Sequence, residues 1–211
     1  MLEARALSAT AGGRILFQNL SLHLRQGQII GLCGPSGAGK TTLGRILAGL
    51  DAPQAGQVIV PPAAHASPVQ YLHQTPLLAM NPRWRIARIL AEAGPVDAAL
   101  QQQIGVLPDW FTRFPHELSG GQLQRVAILR ALGAAPRYLI ADEITAALDP
   151  LAQVQIWQVL RDLAACGQVG LVAISHDRAL LSRLTGNLLT IDPAPQTHSA
   201  GQSENWYYTG L

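Results

Sequence analysis

The sequence predicts an α/β fold built on a parallel sheet flanked by helices, and three features predict it. Short uninterrupted apolar runs at 29–33, 138–141, 169–174 and 188–191 have the composition of strands buried on both faces, as parallel sheets require. Helical patterns at 41–50, 150–165 and 178–184 separate these runs, and such alternation places helices over the sheet. The first run also passes through a glycine-rich loop straight into its helix.

Taken in order, Leu20, Leu22 and Leu24 alternate with Ser21, His23 and Arg25, the period of a half-buried strand, and Gln26-Gly27 closes it. The N-terminal part is therefore β-rich. After Gly56, Val58-Ile59-Val60 reads as a strand, residues 61–68 as a turn-rich connection and 69–72 as another strand. Residues 85–103 are rich in Ala, Leu and Gln and favour helix. A second helix can start at Ser119, with Leu123, Val126, Ile128 and Leu129 on its apolar face. From Pro193 onward the sequence reads as loop or a loosely docked end.

The 211 residues are 48% hydrophobic, enough for one sizeable core, and length favours one domain. Charged residues make up 13%, against roughly a quarter in an average globular chain, and mean hydropathy is +0.18. An apolar surface covered by partner subunits and plain enrichment in Ala, Leu and Gly both account for this. A net charge of +2 with scattered arginines gives no nucleic-acid stripe, so no nucleic-acid partner is expected. No run approaches the roughly eighteen apolar residues of a membrane span, and the first ten residues lack a signal-peptide layout, which predicts a cytosolic chain. Cys33 and Cys166 lack metal-binding or disulfide spacing and read as small buried hydrophobes.

Gly34-Pro35-Ser36-Gly37-Ala38-Gly39-Lys40-Thr41 fits GxxxxGK(S/T) between a strand and a helix. In that setting backbone N–H groups and a helix N-terminus bind phosphate oxygens, Lys40 reaches the β and γ phosphates, and the Thr41 hydroxyl can bind Mg²⁺. ATP or GTP is the implied ligand, with Thr42 in the same first turn. Asp142 and Glu143 end an apolar strand, at the sheet edge where the phosphate loop also lies. Asp142 is placed to hold the Mg²⁺ shell, and Glu143 to orient and polarise the attacking water. Ser119-Gly120-Gly121-Gln122 opens a helix with a hydroxyl and two glycines, a second anion site of the same kind.

With its phosphate loop, LSGGQ segment at 118–122 and apolar strand ending in Asp142-Glu143 in this order, the sequence resembles the ABC ATPase family over about its whole length. The resemblance implies an ABC ATPase cassette: a RecA-like parallel-sheet core over about 28–75 and 135–192, an N-terminal antiparallel β-subdomain and a helical signature subdomain over about 76–134, all in one nucleotide-binding domain spanning 1–211. It implies ATP and Mg²⁺ as cofactors, and two ATP sites sandwiched between the phosphate loop of one subunit and the LSGGQ segment of the other. Residue by residue it makes Gln74 the Q-loop glutamine, sensing Mg²⁺ and the attacking water. It makes Asp149 the D-loop aspartate at the subunit interface and His176 the switch histidine that contacts the γ-phosphate. Two positions depart from the pattern: Ala11 stands where an aromatic residue usually stacks on adenine, with Phe17 nearby, and Ile144 stands where proline usually follows the glutamate. The segment from Val60 to Gln74 is also shorter than usual.

Asn81-Pro82-Arg83, Phe114-Pro115-His116-Glu117 and Gln122-Leu123-Gln124-Arg125 resemble the peptide/nickel importer branch. This implies a second ATPase subunit, in a heterodimer or a homodimer, two transmembrane permease subunits and, indirectly, an extracytoplasmic solute-binding protein. The chain would sit peripherally on the cytoplasmic face of the inner or plasma membrane. Many members carry a longer C-terminal extension, and the short form here leans toward a metal or metal-chelate system over a peptide. The alternatives are a soluble ABC ATPase outside transport and an inactive cassette that supports a catalytic partner.

Overall fold

The computed structural model describes residues 1–62, 67–95 and 97–192. The expectation for the segment from Pro193 onward, and much of that for 61–68, lies outside these residues. Two sheets organise the chain. A parallel five-stranded sheet runs β5 (Val69–Leu72), β6 (Tyr138–Asp142), β7 (Gly170–Ile174), β3 (Ile29–Cys33), β8 (Leu188–Thr190). An antiparallel sheet of three runs β2 (Arg14–Leu24), β1 (Leu2–Ala11), β4 (Ala55–Ile59), with Gly12 and Gly13 turning β1 into β2.

The parallel sheet is buried on both sides, which is why its strands read as unbroken apolar runs. Along β6 and β7, Ile140, Val172 and Ile174 face one apolar cluster, while Leu139, Ala141, Leu171 and Ala173 face another. The first cluster is completed by α1 (Lys40–Leu47), through Leu43, Ile46 and Leu47, and by the inner face of the antiparallel sheet, through Leu2, Leu7 and Leu22. The second is completed by α2 (Ile86–Ala91), α3 (Ala98–Ile104), α4 (Gly120–Gly133) and α5 (Pro150–Ala165), through Ile86, Ile104, Val126 and Ile156. α6 (Arg178–Leu184) packs on β3. A fully buried Leu or Ile side chain contributes about 1.5–3 kcal/mol relative to exposure, so this two-sided packing fixes where the strands end.

Four expectations are corrected. β4 lies within the stretch expected to form the parallel core, yet it pairs with β1; it is exposed along most of its length, which suits a one-sided antiparallel sheet. The helix expected over 85–103 is two helices, α2 and α3, because Gly94 at φ +133 and Pro95 break it. Much of the rest of 76–118 forms 3-10 turns at Pro76–Ala79, Pro108–Thr112 and Pro115–Glu117, each opened by its proline. Cys33 is buried as expected, but Cys166 caps the end of α5 and is exposed.

Candidate functional site

The loop from Gly34 to Gly39 leaves β3 and closes onto α1. Two of its glycines are dictated by space and conformation. A Cβ at Gly34 would lie 2.4 Å from the Ile191 carbonyl oxygen. Gly39, the N-cap of α1, has φ +98, and a Cβ there would lie 2.9 Å from Leu16 Cβ. Gly39 offers no capping side chain, so the first N–H groups of α1, at Lys40, Thr41 and Thr42, have no intrahelical acceptor. With the helix dipole they form an anion site. Pro35, Ser36, Gly37 and Thr41 are exposed, while Ala38 and Lys40 are buried. The Lys40 ammonium donates to the carbonyls of Gly34 and Pro35 at 2.8 and 2.9 Å, which curls the loop around its own cation.

Strand register carries the remaining groups to the same edge. Leu32 of β3 and Asp142 of β6 both pair with Ile174 of β7, so the three strands end level. The phosphate loop, Glu143 and His176 all follow within two residues of that line. β5 joins them, Leu72 pairing with Ala141, and Gln74 follows two residues later. Glu143 has φ +49, a left-handed conformation that costs a non-glycine residue about 1–2 kcal/mol. Its N–H donates to the Ile174 carbonyl, which helps hold that turn. Its carboxylate is gripped from two sides: Gln74 Nε2 donates to Oε2 at 3.3 Å, and His176 Nδ1 lies 3.1 Å from Oε1. Behind Glu143 and His176 lies a cleft of about 230 Å³ lined also by Thr145, Trp157 and Ser175.

Asp142 is buried and accepts a 2.5 Å hydrogen bond on Oδ2 from the Tyr71 hydroxyl. Burial first, then the Asp142 carboxylate, push the Tyr71 phenol well above its ordinary range, so it remains a donor. Tyr71 was missed in the sequence; its signal was a hydroxyl-bearing residue in a strand of the parallel core, three residues before Gln74. Thr41, Asp142 and Gln74 offer a hydroxyl, a carboxylate and an amide oxygen, and no cluster of three or more His, Cys, Asp or Glu occurs among the described residues. Hard oxygen donors with a single carboxylate fit Mg²⁺, which takes most of its shell from phosphate and water, and do not fit a zinc-type cage.

The second anion site starts α4. Ser119 accepts from the Gln122 N–H at 3.3 Å, and the Gln122 side chain accepts from the Ser119 N–H at 2.9 Å, a complete capping box. Space around Gly120 is open, whereas a Cβ at Gly121 would lie 3.1 Å from Leu148. The signature segment is thus packed beside the turn that carries Asp149, whose carboxylate caps α5 by accepting from the Ala152 N–H at 3.0 Å. α1 packs on β1, β5, β6 and β7; α4 packs on α2, α3, β5 and the Pro76–Ala79 turn. The two helix N-termini therefore belong to different parts of the chain. At the β1–β2 hairpin Ala11 is exposed, and Phe17 is buried in the core under Gly39, where its ring is not free to stack on a base.

Comparison with known proteins identifies the family and the fold. The sequence pattern of the family described as ABC transporter matches residues 17–146. A protein of Brucella abortus (strain 2308), provisionally named a peptide import ATP-binding protein, is 38% identical over 201 residues, covering 81% of this chain and 59% of its own length. One of Brucella ovis with the same provisional name is 34% identical over 199 residues, covering 83% and 63%. The chain thus spans about 60% of the length of these relatives. Among solved structures, a dimeric bacterial ABC transporter cassette superposes with TM-score 0.77 at 22% identity, covering 92% of this chain and 95% of that one. An ATP binding subunit of an ABC transporter gives 0.78 at 23% identity, covering 90% and 85%.

Proposed function

Because this chain belongs to the ABC transporter family, with the cassette fold, we propose that it is the ATP-hydrolysing subunit of an importer, coupling ATP binding and hydrolysis to solute uptake. The observation that carries this reading is the convergence of the phosphate loop, Asp142, Glu143, His176 and Gln74 on the end of one parallel sheet. The loop from Gly34 to Thr42 binds the triphosphate. Mg²⁺ would be held by Thr41 and Asp142 with Gln74 beside them, and when bound it supplies charge neutralisation at the phosphates. Glu143 accepts the proton of the attacking water, and Gln74 and His176 keep its two carboxylate oxygens aimed.

The chain acts as one nucleotide-binding domain that works in pairs. Ser119, Gly120, Gly121 and Gln122 open a second helix, whose packing partners other than β5 differ from those of α1, and this suits an anion site for ATP held by a second ATPase subunit, with Asp149 at the contact. Binding two ATPs closes the pair and hydrolysis reopens it. Permease subunits in the membrane turn that cycle into transport, with a solute-binding protein outside delivering the cargo, a peptide or a nickel or metal chelate. Residues 76–90 form the permease contact: the turn after Gln74 leaves Leu77 and Leu78 exposed, Leu78 by 73%. An importer's ATPase subunit docks on its permeases from the cytoplasmic face, and the chain is proposed to sit there peripherally; no helix among the described residues is long and apolar enough to cross a membrane.

Exposed Ala11 and buried Phe17 leave the hairpin without a base-stacking ring, which lowers affinity for the adenine without touching the hydrolytic groups. Co-expression with candidate permease and sister ATPase subunits, followed by ATP-dependent uptake into proteoliposomes, tests the importer reading. Co-purification with ATP-driven uptake is expected. A chain that hydrolyses ATP but never associates with membrane subunits sinks it.

A further inference from the structure

The geometry points to Tyr71 as a positioning residue for the metal-side carboxylate: its phenol fixes Asp142 by engaging Oδ2, and we propose that this presets the remaining oxygen for the divalent cation that accompanies ATP. The inference rests on the reading of Asp142 as the Mg²⁺-side acid and goes beyond it by assigning a role to a residue outside the phosphate loop and the strand-end acids.

Three observations converge. Tyr71 lies on β5, the strand next to β6, so its hydroxyl approaches Asp142 from the neighbouring strand at 2.5 Å. The ring reaches that far because α1 leaves it room. A Cβ at Gly44 would stand 3.2 Å from Tyr71 Cε2, 3.1 Å from Ile140 Cγ2 and 2.7 Å from Ile174 Cδ1. The phenol is thus wedged between the helix that begins with Lys40 and Thr41 and the sheet that ends in Asp142. On its other side the His73 ring meets it edge-on at 4.7 Å. A carboxylate 5% exposed has little water to fix its rotamer, so the strong Tyr71 donor at Oδ2 decides which way Oδ1 points. Groups that orient a metal-binding carboxylate in this way typically govern 10–100-fold in metal affinity. Tyr71 also sits three residues before Gln74, so the same side chain ties the strand leading to the Glu143-gripping amide to the metal-side acid.

The test uses the full chain with Mn²⁺ as an EPR-visible stand-in for Mg²⁺, together with ATP binding measured in EDTA. Tyr71→Phe strands a buried carboxylate oxygen and is expected to lower the thermal midpoint, while metal-free ATP binding by the folded chain stays near wild type and the Mn²⁺ half-saturation of the ATP complex rises roughly tenfold. In an Asp142→Asn background the same change is expected to have no further effect. An unchanged half-saturation in Tyr71→Phe, or an equal loss in the Asp142→Asn background, overturns the proposal. Should the Phe variant fail to fold, a ring-fluorinated tyrosine at position 71, which keeps the ring and hydroxyl in place but changes the donor strength, is expected to shift the Mn²⁺ half-saturation, and an unchanged value overturns the proposal. A wild-type chain that binds ATP no differently with and without Mn²⁺ instead overturns the functional reading on which it rests.

Discussion

His176 Nδ1 stands 3.1 Å from Glu143 Oε1, and the two residues leave the ends of adjacent parallel strands whose last residues, Ile174 and Asp142, are paired. Glu143 reaches the contact only by adopting φ +49, and Gln74 holds its other oxygen at 3.3 Å. A left-handed glutamate persists where its surroundings over-determine it, and here a backbone bond to Ile174 and two side-chain partners do so. The strain and the partners together aim one carboxylate.

Removing the histidine tests that aim. His176→Ala is expected to leave ATP binding within about twofold while lowering turnover on the order of 10²-fold, the scale of a misoriented general base. Parallel binding isotherms and steady-state ATPase assays in the assembled transporter separate the two effects.

The phosphate loop gives a stability prediction. Gly39→Ala forces a side chain into φ +98 and against Leu16 Cβ at 2.9 Å. The substitution is expected to lower unfolding stability by about 1–3 kcal/mol and to cost most of the ATP affinity, because the loop cannot close onto α1. Denaturant unfolding and ATP titration check both parts.

Asp149 combines a local and an intermolecular duty. Asp149→Ala removes the N-cap of α5, at about 0.5–2 kcal/mol, whereas Asp149→Asn retains a capping oxygen and should recover most of it. If the carboxylate also serves the neighbouring subunit, the Asn variant will be stable yet impaired in ATP-driven dimerisation. Chemical denaturation against light scattering with ATP distinguishes the two.

Acid sensitivity is expected at His73. Its burial, and then the nearby Arg45 charge, hold the imidazole below its ordinary value of 6.5, while Asp142 opposes them. A depressed histidine means the unfolded chain binds the proton first. Its contribution to stability is therefore complete above about pH 6.5, falls as pH drops below that value, and levels off below the folded value. His73→Phe should flatten this component, so the difference in denaturation midpoint between variant and wild type will change between pH 7 and pH 5. A pH-independent difference contradicts it.

Much of the site was legible in the sequence because its residues are bound to short-range signals. The glycine pattern ending in Lys40, the unbroken run before Asp142 and the hydroxyl opening α4 each specify a strand end or a helix start locally. Several elements match closely: Pro150–Ala165 and Arg178–Leu184 are found as read, since Asp149 and Asp177 cap them through their side chains. What was not legible depended on pairing across the chain. β4 joins β1 instead of the parallel core, and the Tyr71 bond to Asp142 spans two strands and a missing side chain at Gly44. The exposure of Cys166 follows from where α5 happens to stop, which composition does not encode.

Glu143 is proposed to drive ATP hydrolysis in an assembled pair of cassettes. The most direct test of this is Mg²⁺-ATPase activity of the wild-type chain and of Glu143→Gln, each alone and in the complex with its sister ATPase and permease subunits. Weak activity alone, stimulation on assembly, and a fall on the order of 10²-fold or more in the Gln variant with ATP still bound are expected. Activity in the full complex that is indifferent to Glu143, or no activity in either form, would contradict it and leave the chain a nucleotide-binding cassette whose partner does the chemistry.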